Sequence, residues 1–151
     1  MNIFILDEKP QIAAEYHCDK HVVKMILESA QMLSTTHWLQ ALQIFNKNIS
    51  DFKRVRDAKE FLHVNLQENM KPPYKMTHVR HPCTIWTTES IENYNWHVKL
   101  LFYLCCEYTK RYGKQHLTIS TLLYVCSCMI RYILRGLSIL SPDGISSVAQ
   151  L

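Results

Sequence analysis

The sequence predicts an all-α fold, a compact single-domain helical bundle with a short extended N-terminal arm, on three observations. No Gly or Pro interrupts residues 11–45, apolar residues recur at helical spacing in three long stretches, and strand-type alternation of apolar and polar residues is absent throughout. The chain has 151 residues, 48% hydrophobic and 20% charged, with three Gly and five Pro. That suits one domain and excludes a disordered tail, a collagen-like fibre and a low-complexity linker. The expected division is a helical core over residues 1–116 and an apolar C-terminal helix with a frayed tail over 117–151.

Residues 2–6 are apolar and too few for more than an extended arm packed on the body. Asp7, Glu8 and Pro10 read as a helix start, with acids at the positive end and Pro where its missing N–H costs nothing. Residues 11–45 form one long helix or two in tandem, with a break expected near Ser34, Thr35 and Thr36, whose hydroxyls compete for backbone bonds. Residues 51–68 place Phe52, Val55, Lys59 and Leu62 at helical spacing, and Pro72 and Pro73 stop that helix. Residues 87–112 form a third long helix, with Tyr94, Val98, Leu101 and Cys105 on its core side. Lys110 and Arg111 face its negative end and Gly113 stands ready as the C′ residue. Gly136 and Gly144 mark a fraying end.

Residues 117–140 are the most apolar stretch, but only 14 uncharged residues precede Arg131, with Arg135 beyond it. A membrane span needs roughly 20, so the expectation is a buried or partner-facing helix, no membrane partner, and self-association through this segment. Six cysteines at 18, 83, 105, 106, 126 and 128 lack a disulfide-framework spacing, and the start has no basic leader region. A reducing, intracellular setting with free or metal-bound thiols is expected.

Charge is mildly basic, 17 Lys and Arg against 13 Asp and Glu. Such a balance permits a phosphate-bearing partner without demanding one. Residues 46–80 hold eight Lys and Arg against four acids, and Tyr74, Trp86 and Trp96 lie near these cations. That mixture neutralises phosphates and stacks bases. There is no Walker loop and no Gly-rich dinucleotide fingerprint.

Candidate site residues fall in two groups. On the first helix Val22, Val23, Met25, Ile26, Leu27, Ala30, Met32 and Leu33 cover roughly 220° of the wheel. Against them His17, His21, Lys24, Glu28, Gln31 and Thr35 recur at spacings of 4, 3, 4, 3 and 4, within an arc of about 80°. This narrow polar stripe reads as the wall of a cleft or as the solvent edge of a core helix. His21, Lys24 and Glu28 are the candidate catalytic residues: proton transfer at His21, or a desolvated Lys24 as amine nucleophile. The second group lies in the loop feeding the third helix, with Lys75, His78, Arg80, His81 and Trp86, continued by Glu89 and Asn93. With His17 these are candidate ligand-binding residues, Lys75 and Arg80 holding phosphate at a helix N-terminus. Zinc is the alternative chemistry, using the His17–His21 i, i+4 pair with His81 and Cys83. Neither a Cys-x-x-Cys spacing in the loop nor an H-E-x-x-H on the helix supports it; otherwise no cofactor is expected.

The runs HCDKHVVKMILESAQMLS (17–34), HPCTIWTTESIENYNW (81–96) and EYTKRYGKQH (107–116) resemble a family of small uncharacterised proteins of tailed-phage and other viral genomes. The match covers residues 1–116, and the C-terminal third departs from it. More distantly the layout is similar to the pyrimidine-dimer DNA glycosylase class, the phage endonuclease V fold, in its apolar arm, its striped first helix and a later E-x-x-x-R, here Glu107 to Arg111. This resemblance implies an all-α domain acting in host cytoplasm or nucleus on nucleic acid or a nucleotide. In that class an N-terminal amine attacks the sugar beside a Glu of the first helix. Here position 2 is Asn2 and the matching stretch is Lys20-His21, so the likeness extends to the fold and not to this damage-specific reaction. The competing function is a non-catalytic viral binding protein that captures a host nucleotide or protein, or a structural zinc domain.

Overall fold

The computed structural model describes residues 2–125, and these are all-α, with no strand among them. The helices are α1 (Pro10–Tyr16), α2 (Asp19–Ile44), α3 (Val55–Asn65), α4 (Pro82–Glu89) and α5 (Ile91–Tyr112). Residues 119–125 are helical as well. The readings made for Arg131, Arg135, Gly136, Gly144 and the rest of 126–151 lie outside the described residues.

The first long stretch is two helices, and the break falls at His17 and Cys18 rather than at Ser34–Thr36. Pro10 opens α1, as expected, and both His17 (ψ 132°) and Cys18 (ψ 161°) are extended. Neither Gly nor Pro causes this; the C-terminal end of α5 does. The Arg111 guanidinium donates to the carbonyls of Glu15 (3.0 Å) and His17 (2.7 Å), which the ending of α1 leaves unpaired, and to the Asp19 carboxylate (3.0 Å) in the first turn of α2. Glu107, one turn back on α5, holds the same guanidinium at 3.0 Å. The E-x-x-x-R pattern is therefore a clamp on the α1–α2 corner.

α2 continues through Ser34–Thr36 because the two threonines bond back along their own helix. Thr36 donates to Met32 O at 3.2 Å, and the Thr35 hydroxyl is shared between Gln31 O (3.0 Å) and Thr77 O (2.9 Å). The helix ends at Asn46 in the left-handed region (φ 52°), with the Lys47 N–H returning to Leu42 O, a closure in which Asn takes the place usually held by Gly. The third predicted helix is also two. Ser90 interrupts it, its hydroxyl accepting from Asn93 N, while the Asn93 amide donates to Trp86 O and braces the corner. Its C-terminus is as expected, with Gly113 at φ 66° and Lys110 and Arg111 in the last turn.

The core has two lobes along α2. In the first, Val22, Ile26, Ala30 and Leu33 meet Ala13 and Ala14 of α1 and Tyr94, Leu101 and Leu104 of α5, closed by Leu122 and Val125. In the second, Trp38 and Leu42 meet Leu62 of α3, Leu66, Met76 and Val79. Residues 119–125 thus pack into the first lobe, the start of the apolar helix expected from residue 117. Among the described residues no helix is long and apolar enough to cross a membrane.

Candidate functional site

The arm decides the site. Without a partner strand it lies across the first half of α2, and two consecutive backbone nitrogens fix it there. Asn2 N donates to Glu28 Oε2 at 2.9 Å, and Ile3 N donates to Cys83 Sγ at 3.4 Å. Phe4 then stacks on the His21 imidazole, ring centroids 4.7 Å apart and planes 5° from parallel. The arm therefore joins the stripe of α2 to the first turn of α4.

At the floor is Glu28, its side chain 11% exposed, paired with Lys24 Nζ at 3.5 Å. The Lys24 side chain is 69% exposed. That corrects its reading as a desolvated amine: its ammonium stands in water, and burial is what would have made it a nucleophile at neutral pH. Lys20 is exposed on the same helix. His17 is not on the α2 stripe, because it sits in the corner between helices, 2% exposed. Its Nδ1–H donates to Ala13 O at 2.6 Å, and Nε2 has no hydrogen-bond partner among the described residues. Burial above all, with the neighbouring His21 and Arg111, lowers its pKa against the lift from the Ala13 bond, so His17 presents an unprotonated nitrogen beside Phe4 and His21.

Across the arm, His81 caps α4, its Nδ1 accepting from Cys83 N at 3.2 Å. His78 takes a left-handed conformation (φ 51°), and its carbonyl accepts from His81 N, making a turn with the two rings 6.3 Å apart. Arg80 is exposed at that turn. A bond from Thr77 N to Thr35 Oγ1 (3.1 Å) anchors the turn to α2.

Other predicted residues are placed elsewhere. Lys75 lines a separate cavity with Trp38, Lys59 and Met76, so it does not share the phosphate role given to Arg80. Trp86 packs edge-on against Trp96 at 5.9 Å, and Trp96 donates to Glu8 O, so both indoles hold the α4–α5 corner to the start of α1. Asn93 serves the same corner, and Glu89 is exposed at the end of α4. The zinc alternative of His17, His21, His81 and Cys83 is not assembled. No group of three His, Cys, Asp or Glu that could hold a metal occurs among the described residues; His17 spends Nδ1 on a carbonyl, Phe4 covers His21, and Cys83 accepts from the arm. Cys18, Cys83, Cys105 and Cys106 are free thiols.

Sequence reasoning missed Asn2, Ile3, Phe4 and Arg111. The first two act through backbone N–H groups, which carry no residue signature, and the signal for Arg111 was its i, i+4 spacing from Glu107. Comparison with protein-family models, with curated proteins and with solved structures finds no match to this chain.

Proposed function

We propose that the protein binds a phosphate-bearing nucleic acid or nucleotide at the face formed by the arm, the first half of α2 and the 78–83 turn, with Glu28 as the proton-transfer group. The observation behind this reading is a buried carboxylate paired with an exposed cation. Glu28 is held under the arm by the Asn2 N–H and meets Lys24 Nζ at 3.5 Å, while Lys20 on the same helix and Arg80 in the 78–83 turn are exposed. Exposed cations meet phosphates and release counterions. A recessed carboxylate with a fixed orientation is the group that takes a proton from a water or hydroxyl next to the bound sugar or base. His21, held flat by Phe4, is a further polar group in the same place. The distant likeness of the layout to the pyrimidine-dimer glycosylase class implies the same ligand class, and a glycosylase-like or other hydrolytic step is the reaction this set would serve.

A second reading rests on Val23 and Leu27, which the wheel assigns to the apolar face and which are 41% and 39% exposed beside Lys20 and Lys24. A mixed apolar and cationic patch also fits a non-catalytic role toward a protein partner.

The test is a binding titration with short labelled single- and double-stranded DNA over a range of salt. The expected affinity falls with salt by about 0.7–0.9 log units per log unit of salt for each phosphate contacted. Lys24→Ala with Arg80→Ala flattens that slope, and Glu28→Gln leaves binding intact while abolishing any turnover. Binding that ignores both salt and the double variant sinks the proposal.

A further inference from the structure

On the second lobe, away from the arm, α2, α3 and the loop before α4 line an open-mouthed cavity of about 360 Å³. None of its walls comes from the arm or from the first half of α2. Trp38 and Met76 are its buried apolar walls, 9% and 2% exposed. Lys59, His63 and Lys75 are exposed around it. The Trp38 indole is locked in place by its Nε1–H, which donates to Tyr74 O at 2.8 Å, so the aromatic wall is preformed.

Charge makes this more than an apolar hollow. The one acid among the lining residues, Glu60, is paired with Arg56 at 3.5 Å. Several other cations of the segment are engaged, Arg54 with Asp57, Lys71 with Glu68, and Lys47 over the Phe52 and Phe61 rings, while Lys53 and Arg80 are exposed away from the cavity lining. Lys59 and Lys75 have no ion pair among the described residues. Lys59 of α3 and Lys75 of the loop before α4 thus bring two ammonium groups without an ion pair among the described residues to the cavity that Trp38 lines.

We infer that this cavity is a second binding site, for a flat aromatic ring bearing an anionic group, the ring against Trp38 and Met76 and the anion between Lys59 and Lys75. The volume lies at the low end of ligand pockets, which suits one ring system rather than an extended chain. Apolar walls supply the affinity, and the two ammonium groups select the anion over its neutral analogue. Two sources of this chemistry exist, a nucleotide and an aromatic carboxylic acid.

The experiment follows tryptophan fluorescence of the full chain during titration with 5′-AMP and adenosine, and with 2-naphthoate and 2-naphthalenemethanol. The expected result is saturable binding of at least one anion, at least about fivefold tighter than its neutral partner, with the better anion identifying the source. Lys59→Ala with Lys75→Ala removes that preference. Both side chains are exposed, so an unchanged melting midpoint verifies that the variant is folded. Equal affinity for anion and neutral analogue, indifference to the lysine pair, or no saturation by either anion up to about 1 mM overturns the inference.

Discussion

The two halves of α2 carry the same kinds of polar residue and use them in opposite ways. In residues 32–42 every position is buried except the half-buried Leu39, and Thr35, Thr36, His37 and Trp38 there are committed to structural bonds. Thr35 holds Thr77, His37 Nε2 meets the Tyr94 hydroxyl at 2.8 Å, and Trp38 holds Tyr74. In residues 19–31 Lys20, Val23, Lys24 and Leu27 are exposed, and the arm's Asn2 N–H bonds the Glu28 carboxylate. The difference is coverage. Packing against α3, α4 and α5 on all sides makes a polar side chain a structural bond, because leaving it unpaired in the core costs about 1–3 kcal/mol. A single layer of arm leaves the same residue types in reach of a ligand.

The sharpest contrast is in acid. Burial lowers the pKa of His37 to about 4 and of His97 to about 3. The His97 Nδ1–H donates to the Thr87 hydroxyl at 2.9 Å, since that hydroxyl already donates to Cys83 O, and its Nε2 has no partner among the described residues. Both imidazoles are neutral when folded and charge near pH 6.5 when unfolded. The unfolded chain therefore binds more protons below that pH, and stability is full above it and lost as pH falls toward the folded pKa values. Each group contributes a slope of about 1.4 kcal/mol per pH unit. Denaturant melts from pH 7.5 to 4.5 should show a steep loss below about 6.5. His97→Leu should remove part of that slope, the rest remaining with His37 and the other buried imidazole, His17; a flat profile in the parent chain would erase the contrast.

Next in size is the corner clamp. Arg111→Ala strips two carbonyls and Asp19 of their donor and leaves Glu107 with only Lys110, at 3.1 Å, a loss of about 2–3 kcal/mol. Chemical unfolding reads this, and hydrogen exchange should show the loosening at residues 15–19 first. Thr35→Val keeps the shape but deprives the Thr77 N–H and carbonyl of their partner, at about 1–2 kcal/mol.

Smallest are the changes under the arm. Glu28→Gln keeps an oxygen for the Asn2 N–H and should cost under about 1 kcal/mol, so a large melting shift there would move Glu28 from chemistry to structure. Lys24→Ala breaks an ion pair exposed on the lysine side and should change stability by less than about 0.5 kcal/mol. Its effect belongs in DNA affinity, where the salt slope drops by about 1.

Cysteine reactivity offers an independent check on the first lobe. Burial pushes the Cys105 thiol up to about 12, so a thiol reagent at pH 8 should label exposed Cys18 and leave Cys105 untouched until the chain unfolds.

Much of this was legible in the residues themselves. Helical periodicity, the Pro10 start, the Gly113 stop and the core side of α5 through Tyr94, Leu101 and Cys105 follow from local dihedral preferences and from which positions share a face. So did the grouping of His21, Lys24 and Glu28, since spacings of 3 and 4 put them on one side of a helix whatever surrounds it. What surrounds the helix was not legible. The α1–α2 corner exists because Arg111 reaches carbonyls 94 and 96 positions earlier in the chain, and Glu28 is roofed because Asn2 returns to it across 26. Tertiary packing likewise put Lys75 at a cavity of the second lobe and left Val23 and Leu27 exposed. Local sequence determines which conformation and which face a residue takes. Only the assembled fold decides what covers that face, because coverage is a contact between segments that carry no local mark of each other.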